Sequence, residues 1–308
     1  MKQIELIKGI ALHYEEVVSE NGISGVEIAG ISVREGCAAD AITVPEKIME
    51  KPVVSLAPYS FRNERWLREI TLPETMKKIG SHCFFDCRGL KKIVLPDRIT
   101  ELGDGAFKNC ESLEEVGLLV RIHKSTCLKS ILAERNETLY VRIFYPSGEE
   151  AALVFPRYLL DYEANVEARI INQVTFGTGL EYRECFYYED IDYKKYDNLF
   201  YYEQNVGEKE NTARLAAARL TAPLKLSGAQ KEKYLSWLCR DKEVFFKVIG
   251  WYEKHPEELP MFLSLAGREE KIFSLALSCA QEKGNARLSG KLMEKKQGQK
   301  KAAKKFVL

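Results

Sequence analysis

The chain has little of what enzymes, membrane proteins and disulfide-built secreted proteins rely on. Its 308 residues include only four histidines, at positions 13, 82, 123 and 255, and no G-x-S-x-G, G-x-x-x-x-G-K-[ST] or H-E-x-x-H motif occurs. The usual signatures of serine hydrolases, phosphate-loop enzymes and zinc proteases are therefore missing, and we assign no catalytic residue, no cofactor and no metal. No run of about 20 apolar residues is present to serve as a membrane-spanning helix. The apolar patch Ile7 to Leu12 is soon interrupted by His13, Glu15 and Glu16, too early for a secretory signal. The expected location is the cytoplasm, or the cell surface or exterior if a signal segment has been removed.

Eight cysteines are too sparse for a disulfide scaffold. His82, Cys83 and Cys87 crowd together, and His123 and Cys127 lie four apart, but the paired C-x-x-C or histidine spacings that zinc favours are absent. Cys87 and Cys110 read better as small buried residues. The net charge is only +1, yet Lys295 to Leu308 holds six lysines and no acid, leaving 40 basic against 45 acidic residues elsewhere. Such a tail either binds nucleic acid or anionic lipid, or is simply a solvated terminus. With no other basic cluster in the sequence, the second reading is adopted.

What is present is repetition. Leu67, Ile70, Leu72 and Pro73 read L-x-x-I-x-L-P, Leu90, Ile93, Leu95 and Pro96 repeat it 23 residues later, and Leu113, Val116 and Leu118 begin it again. Ile79-Gly80 matches Leu102-Gly103, Phe84 matches Phe107, and Cys87 matches Cys110. Within a unit Ile70 and Leu72 alternate with Glu69 and Thr71, so a short strand has one apolar face that only a neighbouring unit can bury. Pro73 and Pro96 end their strands because proline has no N–H to give. A fixed period in the twenties with leucines at this spacing predicts a leucine-rich-repeat solenoid with a parallel β-sheet. Phe84 and Phe107 are expected to stack as a buried spine.

The segments "ITLPETMKKIGSHCFFDCRGL" and "IVLPDRITELGDGAFKNCESL" resemble the BspA-like, or treponemal-type, leucine-rich repeat. Upstream, Ile42, Val44, Pro45, Leu56, Phe61 and Leu67 fit the same template with a longer loop, and Glu64 stands where the family has cysteine. Val26 to Ile31 is similar to the atypical first strand of such arrays. The resemblance covers about residues 22 to 120.

Outside the array, residues 1–21 are read as an amphipathic helix, alone or followed by a strand, with a turn at Asn21-Gly22. Two alternating runs, Leu139 to Tyr145 and Ala151 to Phe155, flank Pro146-Ser147-Gly148 and predict a hairpin. Residues 156–175 have a partly helical period. Residues 185–202 hold eight aromatics, which either stack on sugars, bases or a protein, or seal a junction between domains. From Asn211 the chain reads as helical, with Asn211, Ser227, Asp241 and Asn285 as N-caps and Gly284 as a helix stop. The phrase "ALSCAQEKGNARLSGKLMEK" resembles an ankyrin unit without its Thr-Pro-Leu-His.

The expectation is an α+β multidomain chain: an N-terminal segment 1–21, a leucine-rich-repeat solenoid 22–120, a mixed hairpin and aromatic capping segment 121–205, an all-α ankyrin-like module 206–296 and a basic tail 297–308. The solenoid is expected to bind another protein through the outward strand residues Glu69, Thr71, Lys92, Val94 and Glu115, with Gly117 in the same row and Arg68 and Lys91 at its flanks. Mixed charge favours a protein over a polyanion. The alternative is a polysaccharide- or nucleic-acid-binding protein that uses the basic tail or an aromatic patch of Tyr187, Tyr188, Tyr193, Tyr196 and Tyr201.

Overall fold

The computed structural model describes the backbone of residues 2–18, 24–37, 39–122, 124–165 and 170–305, and the side chains of these except 162–172 and 299–305. The turn expected at Asn21-Gly22 lies outside the described residues. Two compact units form, one from Met1–Glu149, Arg157–Leu159 and Gly179–Asp192, the other from Glu150–Pro156, Leu160–Thr178 and Tyr193–Leu308. The fold is α+β, a parallel β-solenoid followed by helices.

In the first unit, strands Ala41–Thr43, Glu69–Thr71, Lys92–Pro96, Glu115–Leu119 and Leu139–Phe144 form a parallel ladder in strict register. Ile42 faces Ile70, Ile70 faces Ile93, Ile93 faces Val116 and Val116 faces Val141, and all five are buried. A second parallel ladder joins Ser24–Val33, Lys51–Leu56, Lys78–Ile79 and Glu101–Leu102. Between the ladders Phe61, Phe84 and Phe107 stack with ring centroids 5.3 Å apart at both steps. Each return turn places two residues in the left-handed region: Tyr59, His82 and Gly105 at one position, Asn63, Asp86 and Asn109 at the other. Asn and Asp tolerate that conformation better than most residues.

The Ile-Gly or Leu-Gly pair of each repeat has a steric cause. A Cβ on Gly80 would lie 2.4 Å from the Pro58 nitrogen, and one on Gly103 would lie 2.3 Å from the Ser81 nitrogen. Gly80 and Gly103 also donate their N–H groups to the carbonyls of Leu56 and Ile79 on the preceding turn, each at 2.8 Å.

The N-terminal residues are not helical. Lys2–Ile7 and Ile10–Val18 form an antiparallel hairpin that extends the second ladder through Ser24–Val33. The alternation of Ile10, Leu12 and Tyr14 buries one face at period two, and Gly9 takes a φ of 92° at the turn. At the other end of the array, helix Thr126–Ala133 packs on Glu101–Leu102 and on the short helix Gly179–Arg183. Asp97 accepts from the Ile122 N–H at 2.8 Å, and Arg183 donates to the carbonyls of Arg135 and Glu137 at 2.8 and 2.6 Å. These bonds hold the chain over the last turn.

In the second unit, helix Lys209–Thr221 packs against strand Glu150–Phe155 and helices Gly228–Leu238, Lys242–Lys254 and Leu259–Arg268. It is buried nearly all round because Ala213, Ala216, Ala217 and Ala218 allow close approach. Arg219 on this helix is fully buried and bonds Asp197 twice, at 2.8 and 3.0 Å, while Tyr234 donates to the same carboxylate at 2.9 Å. Asn211 is not a cap: the helix starts at Lys209, and Asn211 donates to Glu208. Ser227, Asp241 and Asn285 do cap, accepting from Gln230, Glu243 and Leu288 at 3.2, 2.9 and 2.9 Å. Gly284 has a φ of 64°. The partly helical reading of 156–175 is corrected to two paired strands, Leu159–Asn165 and Ile170–Phe176, in keeping with the β-branched Ile170, Ile171, Val174 and Thr175. Helix Ala286–Lys305 carries its backbone through the lysine-rich tail.

Two expected outcomes follow from these contacts. Gly103→Ala should destabilise the array by forcing Ser81 away, and Phe84→Ala should cost about 3–5 kcal/mol; equilibrium unfolding in denaturant checks both. Glu203 is fully buried and accepts from Thr178 and from Thr212. Burial pushes its carboxyl above the usual range, against those hydroxyl bonds. A raised folded-state value contributes stability below the unfolded value and loses it as pH rises through the folded one. Glu203→Gln should therefore gain stability relative to the natural residue as pH is raised from the acidic range to neutrality, measured by the same unfolding.

Candidate functional site

The outward row of the first ladder is built by register. Glu69, Lys92 and Glu115 lie side by side, and Thr43, Thr71, Val94 and Gly117 form the next row. Because the strands are parallel and adjacent, side chains of like register stand about 4.8 Å apart, so acid, base and acid alternate along the row. Lys92 pairs with Glu115 at 3.2 Å. Glu69 is exposed with Arg68 and Lys91 beside it, and Thr71, Lys92 and Val94 are half-buried.

Glu115 does not stand out as an exposed contact residue. It is only 9% exposed, with its carboxylate turned to Lys92. Gly117 is buried too, and a Cβ there would meet a Val94 methyl at 3.1 Å. Of the expected contact residues, Glu69, Thr71, Lys92 and Val94 are thus accessible, and Thr43 in the same row is exposed as well.

The five tyrosines read as one aromatic patch do not form one. Tyr193 and Tyr196 are buried. Tyr196 accepts from the Val154 N–H at 2.8 Å and donates to the Val154 carbonyl at 2.6 Å, while Tyr193 lies under Arg219 and Lys225. They sit three apart on helix Tyr193–Asn198 and so share its inner face. Tyr187 and Tyr188 are exposed, Tyr188 by 81%, at the tip of a small hairpin with rings 4.6 Å apart. Tyr201 is exposed on helix Phe200–Val206.

A feature that sequence reasoning missed is a cleft of about 750 Å³ in the first unit, between the third return turn and the segment after helix Thr126–Ala133. Its lining includes His82, Asp104, Lys108, Asn109, Glu134 and Glu137. The His82 ring stacks on Tyr59 at 5.3 Å, with Arg62 over Tyr59 and over Phe85. Glu134 accepts from the Gly105 N–H at 2.9 Å, and Arg135 donates to the carbonyls of Cys110 and Leu113. Burial holds the Arg135 guanidinium below its usual range. The only signal in the sequence is the polar run Glu134-Arg135-Asn136-Glu137 after a helix that the sequence reading did not anticipate.

The thiol at the cleft wall is not prepared for covalent chemistry. Cys110 donates to the Phe84 carbonyl at 3.1 Å, as Cys87 does to Phe61 at 2.9 Å. Burial pushes the Cys83, Cys110 and Cys127 thiols up to about 12, and Cys87 upward as well, where almost no thiolate exists at neutral pH. His82, Cys83 and Cys87 do not converge either: the imidazole stacks on Tyr59, while Cys83 is within 3.2 Å of the Ser60 hydroxyl. His123, paired in sequence with Cys127, lies outside the described residues. The array and cleft together present a surface lined mainly by polar side chains.

Residues 34–135 match the family described as BspA type leucine rich repeat region, in six copies. This stretch of the chain is a BspA-type leucine-rich-repeat array. It is similar to the leucine-rich repeat protein of T. pallidum, at 26% identity over 36% of this chain and 53% of that one, with a TM-score of 0.30. A leucine-rich repeat protein from Bacteroides ovatus matches at 26% identity over 35% of this chain and 30% of that one, TM-score 0.30. One from Bacteroides capillosus matches at 16% over 37% and 80%, TM-score 0.30. The chain thus spans about half the length of the treponemal structure and under a third of the B. ovatus one. No curated protein matches the chain. Among the described residues no helix is long and apolar enough to cross a membrane.

All eight cysteines are unbridged, six buried and two, Cys37 and Cys239, half-buried. A colourless disulfide reagent should titrate these two in the folded protein and the other six only on unfolding. Immediate reaction of all eight would contradict the packing of the array.

Proposed function

We propose that the chain is a non-catalytic scaffold that binds another protein through the accessible strand row Glu69, Thr71, Lys92 and Val94 of its repeat array. The observation that carries this reading is the register of the parallel ladder, which fixes an acid, a base, a hydroxyl and an apolar side chain on neighbouring strands. A surface of that kind pays little conformational entropy on binding, and its alternating charge suits a partner with matched patches better than a polyanion. The T. pallidum and Bacteroides proteins are described as leucine-rich repeat proteins, in keeping with a repeat scaffold. The polysaccharide- or nucleic-acid-binding alternative rests on Tyr187 and Tyr188, whose rings are exposed.

The test is site-specific photocrosslinking in cells that express the full chain, with a benzophenone side chain at position 71 or 94 and, as control, at the exposed position 100. One discrete protein adduct shared by 71 and 94, absent from 100, and lost in a Glu69→Lys, Lys92→Glu variant is the expected result. No adduct, or the same adducts from position 100, would contradict the reading.

A further inference from the structure

The helical unit holds a second recess, which the repeat array does not account for. It is a pocket of about 160 Å³ between helices Lys242–Lys254, Leu259–Arg268 and Ala286–Lys305. Ile249, Tyr252, Leu259, Phe262 and Leu288 make its apolar wall. That size admits one aliphatic side chain and is far below the range of ordinary small-molecule sites.

The rim is not neutral. Arg287 and Lys291 stand at the mouth, four residues apart on one helix, and Lys295 continues the same edge. Arg287 and Lys295 are exposed and Lys291 is half-buried. None of the three has an ion-pair partner among the described residues, whereas Lys296 on the neighbouring edge is paired with Glu270. The acid among the residues that line the pocket, Glu253, is already engaged by Asn285 at 2.6 Å and by Lys283 at 3.9 Å. His255 and Glu257, in the turn before Leu259, face each other at 3.5 Å.

The spacing selects a ligand. Residues four apart on a helix are separated by about 6 Å along its axis, and alternate side chains of an extended peptide by about 6.6 Å. A row of carboxylates on one face of an extended segment therefore keeps step with Arg287, Lys291 and Lys295. We propose that this pocket and edge form a docking site for an acidic peptide segment, which seats one leucine-sized side chain in the pocket and lays alternate carboxylates along the three cations. The site belongs to the helical unit, so it stands or falls separately from the strand row of the array.

The probe is a fluorescein-labelled peptide reading Leu-Ser-Glu-Ser-Glu-Ser-Glu, followed by anisotropy with the full chain. Saturable binding is expected. Replacing the leucine of the peptide by serine, or Arg287 and Lys291 together by glutamate, should each weaken it at least about tenfold. Leu259→Trp, which fills the pocket from a half-exposed position, should act like the serine peptide. If that variant fails to fold, the charge reversal and the peptide changes still decide, since they leave the core untouched. Absence of saturation at about 1 mM peptide, equal binding of the serine peptide, or indifference to charge reversal would overturn the proposal. Equal competition by oligothymidylate would also overturn it, by making the edge a general polyanion surface.

Discussion

One turn of the array must lie on the next at the spacing of a parallel ladder, and the rest of the first unit follows from that constraint. Strands about 4.8 Å apart leave no room for a side chain where the return turns touch, hence Gly80 and Gly103. The same spacing sets the Phe61, Phe84 and Phe107 rings in contact. It also leaves the carbonyls of Phe61 and Phe84 inside the core, where the thiols of Cys87 and Cys110 meet them. A buried acceptor without a donor costs about 1–3 kcal/mol, so a small apolar residue that still donates suits this position. Glu64, at the corresponding place in the earlier turn, bonds Trp66 instead and stays half-exposed.

Much of this was legible in the sequence because the constraint is written repeatedly. Ile70, Leu72, Phe84 and Cys87 each recur 23 residues on, and any one register accounts for all of them. The N-terminal hairpin was not legible: Lys2–Val18 occurs once, and Ile4, Ile7, Ile10 and Leu12 fit a helical period as well as an alternating one. Residues 156–175, whose period looks partly helical but which form paired strands, likewise occur only once. Composition placed the tyrosines of 185–202 correctly in number but gave no direction, and helix geometry turned Tyr193 and Tyr196 inward. Strand alternation put Glu115 on the outward face of its strand. Its burial is set by contacts distant in sequence, such as the Lys92 ammonium, which local pattern does not encode.

The second unit is held differently. Its central helix is rich in alanine, and buried polar groups tie it to its neighbours, above all Asp197, which accepts from both Arg219 and Tyr234. The net stability such a pair contributes is small, because the cost of removing both charges from water offsets their attraction. Arg287, Lys291 and Lys295 line one edge of the last helix, while the array alternates charge along its strand row. The strand row of the array thus mixes charges, whereas one edge of the last helix sets three cations beside an apolar recess.

Hydrogen exchange on the full chain tests the stacking of turns most directly. The N–H groups of Gly80, Phe84 and Gly103 are bonded to Leu56, Ala106 and Ile79 on neighbouring turns, and not within their own. If the array is one cooperative stack, these amides exchange together, at the rate set by unfolding of the whole array. Exchange within seconds, as for open loops, or independent rates turn by turn, would contradict the account.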